Sequence, residues 1–210
     1  MNSRPNIILI LTDQHRLSAV GCYGQTPCQT PNIDRLASEG VRFETAYTVC
    51  PVCSPARATI MTGLYPQKHG IYSNIYNLGN SVHELPDNPD LLSRRLQSAG
   101  YRCGYTGKWH LGEGGHGRYG LSDSAALPRN RGFEGQSLPG HGGGGFRYSE
   151  YQHYLKDNGL SHRVHESEGQ PSRVMPCGVL SGPEESTVPY SLATHTILDI
   201  LDSDAQSLSL

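Results

Sequence analysis

Apolar and polar positions alternate along this chain in two distinct periods. Ile7-Ile8-Leu9-Ile10-Leu11 is an unbroken β-branched-rich run, the pattern of a strand covered on both faces of a parallel sheet. It ends in four polar residues, Thr12-Asp13-Gln14-His15. Residues 30–40 predict a helix: Thr30 at the N-cap, Pro31 at the first turn, Ile33, Leu36 and Ala37 on one face, and Gly40 at the end. Val41, Phe43, Thr45, Tyr47 and Val49 then alternate with mostly polar neighbours, which predicts a second strand. A second helix is expected from an N-cap at Ser54 to Gly63, with Cys53 just outside it. Leu92, Leu96 and Ala99 predict a third helix, closed by Gly100. Tyr101 to Thr106 reads as a short strand ending in Gly107-Lys108-Trp109-His110. Alternating strands and helices imply an α/β fold with a mostly parallel sheet.

The second half is patterned differently. Residues 113–147 are rich in Gly and Arg, with a four-Gly run at 142–145, and predict a long surface or site-rim loop. Tyr148, Tyr151, Tyr154 and Leu155 suggest one helix with a packing stripe, and Ala193, Ile197, Ile200 and Leu201 a last one.

Composition narrows the classes of function. The 210 residues carry a formal net charge of −2, against the basic excess of a dedicated nucleic-acid binder. No apolar run reaches the roughly 18 residues of a membrane helix, and no secretory signal is visible, so the expectation is a cytoplasmic protein without a membrane partner. The 6 Cys are irregularly spaced and are read as free thiols.

Three polar clusters follow three predicted strands: Asp13-Gln14, Cys53 to Arg57, and Lys108-Trp109-His110. Strand ends on one edge of a parallel sheet converge, so these groups are expected to face one cleft. Oxygen donors there suit a hard cation, and Arg and Lys suit an anionic ester. Cys53 at a helix N-terminus combines a nucleophile with a field that favours anions, the arrangement expected for attack on a sulfate or phosphate ester.

Four stretches in order carry a family resemblance: Arg4 to Gln14, Thr30 to Ala37, Cys53-Ser-Pro-Ala-Arg57 with Thr62-Gly63, and Gly107-Lys-Trp-His-Leu-Gly112. Together they resemble the N-terminal part of a type I sulfatase of the alkaline-phosphatase-like superfamily. The resemblance implies a three-layer α/β sandwich, truncated before the second metal motif. It implies one sulfatase N-terminal domain over 1–210, strongest over 4–112, with a helical part over 148–210.

The resemblance also implies a sulfuric ester hydrolase acting on a sulfated small molecule or sugar. Cys53 would be oxidised to formylglycine by a formylglycine-generating enzyme, and its hydrate would be the nucleophile. Asp13, Gln14 and the Cys53 oxygen would hold a divalent cation, Ca²⁺ first, with Mg²⁺ or Mn²⁺ as alternatives. Many members have a second Asp at the position of Gln14. Arg57 would steady the formylglycine, Lys108 would contact nucleophile and sulfate, and His110 would take the proton as sulfate is released. About half of the family's site is expected here, with weak Ca²⁺ binding and little turnover from these residues alone.

Rival readings are a phosphate or phosphonate ester hydrolase of the same superfamily, a non-catalytic fragment, and a redox pair at Cys50-Pro-Val-Cys53. The redox reading leaves Asp13, Arg57, Lys108 and His110 unexplained, and zinc lacks a second Cys pair. His69, after Tyr65-Pro-Gln-Lys68, is given no role.

Overall fold

A computed structural model describes residues 4–75, 79–112, 126–135, 149–161, 163–166 and 178–207. The chain divides into two compact units, Met1–Thr48 and Val49–Leu210.

In the first unit, helix α1 spans Pro31–Glu39 as its pattern predicts. Thr30 is its N-cap residue, but its hydroxyl does not cap. That oxygen instead accepts from the Gly21 N–H at 2.8 Å and donates to Asp34 at 3.0 Å. Asp34 also accepts from the Cys22 N–H at 2.7 Å, which ties the 3₁₀ turn Gly21–Tyr23 to the helix. The Asp34 carboxylate lies only 2.6 Å from where a side chain on Gly21 would begin, so any larger residue there would have to displace that carboxylate.

Neither of the two strands expected here is paired among the described residues. Residues 7–11 have no ladder partner among the described residues, and their side chains are 50–77% exposed. Val41, Phe43, Tyr47 and Val49 are likewise exposed and unpaired as strands. The physical reason is that a strand, unlike a helix, cannot satisfy its own backbone. A parallel strand needs a neighbour delivered by a crossover of a dozen or more residues. Extended pairing among the described residues includes a parallel bridge between Gly104 and Glu134 and a two-stranded antiparallel sheet.

In the second unit, α2 (Cys53–Thr62) closes on Gly63 in the left-handed region, φ 68°. α3 (Pro66–His69) is a single turn begun by proline and ended by Gly70 at φ 77°. α4 (Leu92–Ser98) ends where Gly100 was expected to stop it. α5 (Ser149–Asp157) and α6 (Val188–Ser207) flank β1 (Arg163–Glu166) and β2 (Gly178–Ser181). The strands pair antiparallel, with Arg163 opposite Ser181, a hairpin that helical patterning alone did not anticipate. Tyr151 and Tyr154 are the expected packing stripe, donating to the carbonyls of Ser186 and Glu185. Tyr148 and the four-Gly run lie outside the described residues.

The core of this unit gathers Ala58 and Met61 of α2 with Ile71, Ile75, Leu85, Leu91, Trp109, Leu111 and Ala126. Residues 126–133 correct the expectation of a surface loop. Ala126, Leu127 and Pro128 are buried, and the Arg131 guanidinium donates to the Leu85 carbonyl at 2.7 Å. Burial lowers the Arg131 pKa from its ordinary value, the carbonyl partners compensating for lost water.

Candidate active site

Helix α2 begins two residues earlier than its sequence suggests. Val52 is the N-cap and Cys53 the first helical residue, so Pro55 falls in the first turn, where a missing N–H costs nothing. No N-cap side chain closes this end. Instead Asn74 reaches back, its Oδ1 accepting the Ser54 N–H at 3.2 Å. The fully buried Ser54 hydroxyl donates to the His110 carbonyl at 2.7 Å and accepts the Ile75 N–H at 3.2 Å. One side chain thus joins the helix start to both segments around it.

Asn74 is held by Asn80, whose amide donates to the Asn74 and Ser73 carbonyls and accepts from the Tyr72 and Ser73 N–H groups. Sequence reasoning missed both asparagines. They lie more than three helical turns' worth of residues beyond the end of α2 in sequence, and no local motif marks them.

Residues 107–112 each answer a separate demand. Gly107 turns at φ 100°. Lys108 sends its Nζ to 3.2 Å from the Cys53 Sγ. Trp109 is fully buried, stacked edge-on to Tyr105 at 5.1 Å, and donates its indole N–H to the Ala126 carbonyl. His110 adopts φ 56°. Leu111 is in the core, and its carbonyl accepts the Leu85 N–H at 2.8 Å. At Gly112 an added Cβ would lie 2.5 Å from the Ala126 carbonyl oxygen, which is backbone and cannot swing aside.

The structure therefore brings Cys53, Arg57, Lys108 and His110 together in the second unit. Arg57, largely buried, donates from Nη1 to the Lys108 carbonyl at 2.6 Å and reaches the Tyr105 hydroxyl at 3.5 Å. It braces the lysine turn. Cys53 is half-buried and, with Cys50, is not in a disulfide. A helix N-terminus and an ammonium both favour negative charge beside that sulfur.

Asp13 and Gln14 belong to the first unit. Among the described residues, Gln14 (φ 53°) and His110 are the two non-glycine residues at positive φ. Side chains other than glycine rarely adopt that conformation, and where it persists it clusters at functional sites. The Asp13 carboxylate and Gln14 amide are hard oxygen donors, correct in kind for Ca²⁺ or Mg²⁺ but short of the 6 to 8 ligands Ca²⁺ takes. Among the described residues no three His, Cys, Asp or Glu side chains cluster to hold a metal ion.

Comparison with known proteins identifies the family. The sequence model of the Sulfatase family matches residues 5–158. The sulfatase YidJ of Escherichia coli (strain K12) is 41% identical over 120 residues, 57% of this chain and 22% of that protein. N-acetylgalactosamine-6-sulfatase of Homo sapiens is 41% identical over 114 residues, 51% of this chain and 22% of that protein. The crystal structure of the yidJ protein from Bacteroides fragilis aligns with a TM-score of 0.51 at 29% identity, covering 81% of this chain and 35% of that one. The chain thus spans less than a quarter of the length of these curated relatives. Its solved neighbours share the alkaline-phosphatase-like fold. A family match over most of the chain, with the Cys53 and Lys108 segments inside it, places this protein in the sulfatase family.

Proposed function

We propose that this chain carries the nucleophile centre of a sulfate monoester hydrolase. The observation that carries the reading is the 3.2 Å approach of the Lys108 ammonium to Cys53 at the N-terminus of α2. Cys53, converted to formylglycine, supplies as its hydrate the oxygen that attacks sulfur, breaking the S–O bond to the alcohol, which leaves; the aldehyde re-forms when the second hydrate hydroxyl loses its proton and sulfate is released. Lys108 and the α2 N-terminus offset the negative charge of the sulfate group as it is engaged. Arg57 keeps Lys108 in place through its carbonyl. His110, its backbone fixed by Ser54, takes a proton as sulfate departs.

Asp13 and Gln14 are the oxygen donors proposed for a divalent cation, Ca²⁺ first. When bound, the cation supplies positive charge toward sulfate oxygens. The proposed substrate class is a sulfated sugar or other small sulfated molecule. Relatives named N-acetylgalactosamine-6-sulfatase and N-acetylglucosamine-6-O-sulfatase support the sugar.

The test is sulfate release from an aryl sulfate by the chain co-expressed with a formylglycine-generating enzyme. Release at any level that disappears in Cys53→Ala and falls at least tenfold in Lys108→Ala supports the reading. Equal release from Cys53→Ala contradicts it. Hydrolysis of the matching aryl phosphate, with the sulfate untouched, would move the assignment to phosphate esters.

A further inference from the structure

We propose that Tyr105 is a positioning residue for Lys108: its hydroxyl, with the Arg57 guanidinium, pins the Lys108 carbonyl and so keeps the lysine ammonium against Cys53. A carbonyl oxygen has two lone pairs. Here one takes Arg57 Nη1 at 2.6 Å and the other the Tyr105 hydroxyl, which also lies 3.5 Å from that Arg57 nitrogen. Two groups from two segments therefore close on one backbone oxygen, three residues beyond Tyr105 itself.

The tyrosine is a stiff post. Its ring packs edge-on against Trp109 at 5.1 Å and Phe133 at 5.3 Å, and its N–H donates to the Glu134 carbonyl at 2.9 Å. Burial raises its pKa above the ordinary value, so the hydroxyl keeps its proton and remains a donor. The turn between post and lysine is tight. Gly107 sits at φ 100°, a backbone conformation that other residues rarely adopt. A lysine side chain has four rotatable bonds, so fixing its backbone is what narrows the region its ammonium can reach.

The functional weight of this device rests on the Cys53–Lys108 reading above, but the placement can be measured without turnover. The full chain, with Cys53 left as a thiol, is alkylated with iodoacetate and with iodoacetamide, and the peptide carrying Cys53 is quantified by tandem mass spectrometry. A nearby ammonium attracts the anionic reagent and not the neutral one, and any change in the sulfur's own reactivity acts on both and cancels in their ratio. The rate ratio is normalised to exposed Cys28. Lys108→Gln is expected to lower the ratio roughly threefold or more at low salt. Tyr105→Phe, which keeps the ring and removes only the hydroxyl, is expected to lower it at least half as far on a logarithmic scale.

A Tyr105→Phe ratio equal to the unsubstituted one, with Lys108→Gln lowered, overturns the role of Tyr105 and leaves the proposed site intact. A ratio unmoved by Lys108→Gln removes the ammonium from Cys53 altogether, and with it both readings. Loss of cooperative unfolding in Tyr105→Phe would mean that the hydroxyl serves the fold rather than the lysine, which also overturns the proposal.

Discussion

Residues 7–11 and residues 107–112 are similar in length, and both are distinctive in sequence, yet they end in opposite states. The first is a run of five aliphatic residues, at least half exposed and without a ladder partner among the described residues. The second mixes glycine, charge and aromatic character, and its Trp109 and Leu111 are fully buried. The difference is where each finds its partners. Residues 107–112 are met by α2, by Leu85 and by Ala126, all within the second unit. An apolar run alone states that burial is favourable without supplying a surface to bury against. It also leaves its N–H and C=O groups to be matched by other strands.

The widest test of this contrast is a pair of truncations. Trp109→Ala removes a fully buried indole from the core and should cost about 3–5 kcal/mol in urea unfolding followed by circular dichroism. Ile8→Ala, at a position 68% exposed, should cost no more than about 0.5 kcal/mol. Comparable losses would show that residues 7–11 are buried in solution and would break the comparison.

Ser54→Ala is expected to cost roughly 1–3 kcal/mol, because the Ile75 N–H and the His110 carbonyl both lose a buried partner. The cost should be accompanied by changed amide signals at Ile75 and Leu111. A neutral substitution would mean that the helix start is held by Asn74 alone.

His69 gives a pH signature. Its ring is buried, Nδ1 accepts the Ile71 N–H at 3.2 Å, and Nε2 meets Thr59 Oγ1 at 3.2 Å. The accepting Nδ1 leaves the proton on Nε2. Burial lowers its pKa below the ordinary 6.5, so the folded state prefers the neutral ring. In that window the unfolded chain binds more protons, and stability rises with pH. The contribution is complete above about pH 6.5 and is lost as pH falls through that value toward the lowered one. Urea midpoints between pH 8 and pH 5 should fall more steeply for the unsubstituted chain than for His69→Asn; equal slopes would remove His69 from the account.

The smallest effect belongs to the surface. Arg95 meets Asp90 at 2.6 Å, but both side chains are about two-thirds exposed. Arg95→Ala should change stability by no more than about 0.5 kcal/mol, and less in high salt. A larger loss would show that the outer face of α4 is coupled to the core.

The helices were legible in the sequence because their instructions are local. Pro31, Gly40, Gly63 and Gly100 mark where three of them begin or stop, within a residue or two. Cys53, Arg57, Lys108 and His110 were legible because two short motifs carry them, and the fold brings these motifs together. Asn74, Asn80 and Tyr105 were not. Each acts through a hydrogen bond across the tertiary structure, and nothing near it in sequence signals that bond. The buried stretch at 126–133 was hidden by its Gly and Arg content, which reads as loop until Arg131 is seen donating to a core carbonyl. The sheet expected from residues 7–11 and 41–49 depends on distant partners, which local periodicity does not specify.

The central claim is that Cys53 is the precursor of the nucleophile. Its most direct test is peptide mass spectrometry across Pro51 to Arg57 after co-expression with a formylglycine-generating enzyme. The account predicts an aldehyde at Cys53, with Pro55→Ala or Arg57→Ala reducing its yield. Cys53 recovered wholly as an unmodified thiol, under conditions that convert a known sulfatase, would contradict it.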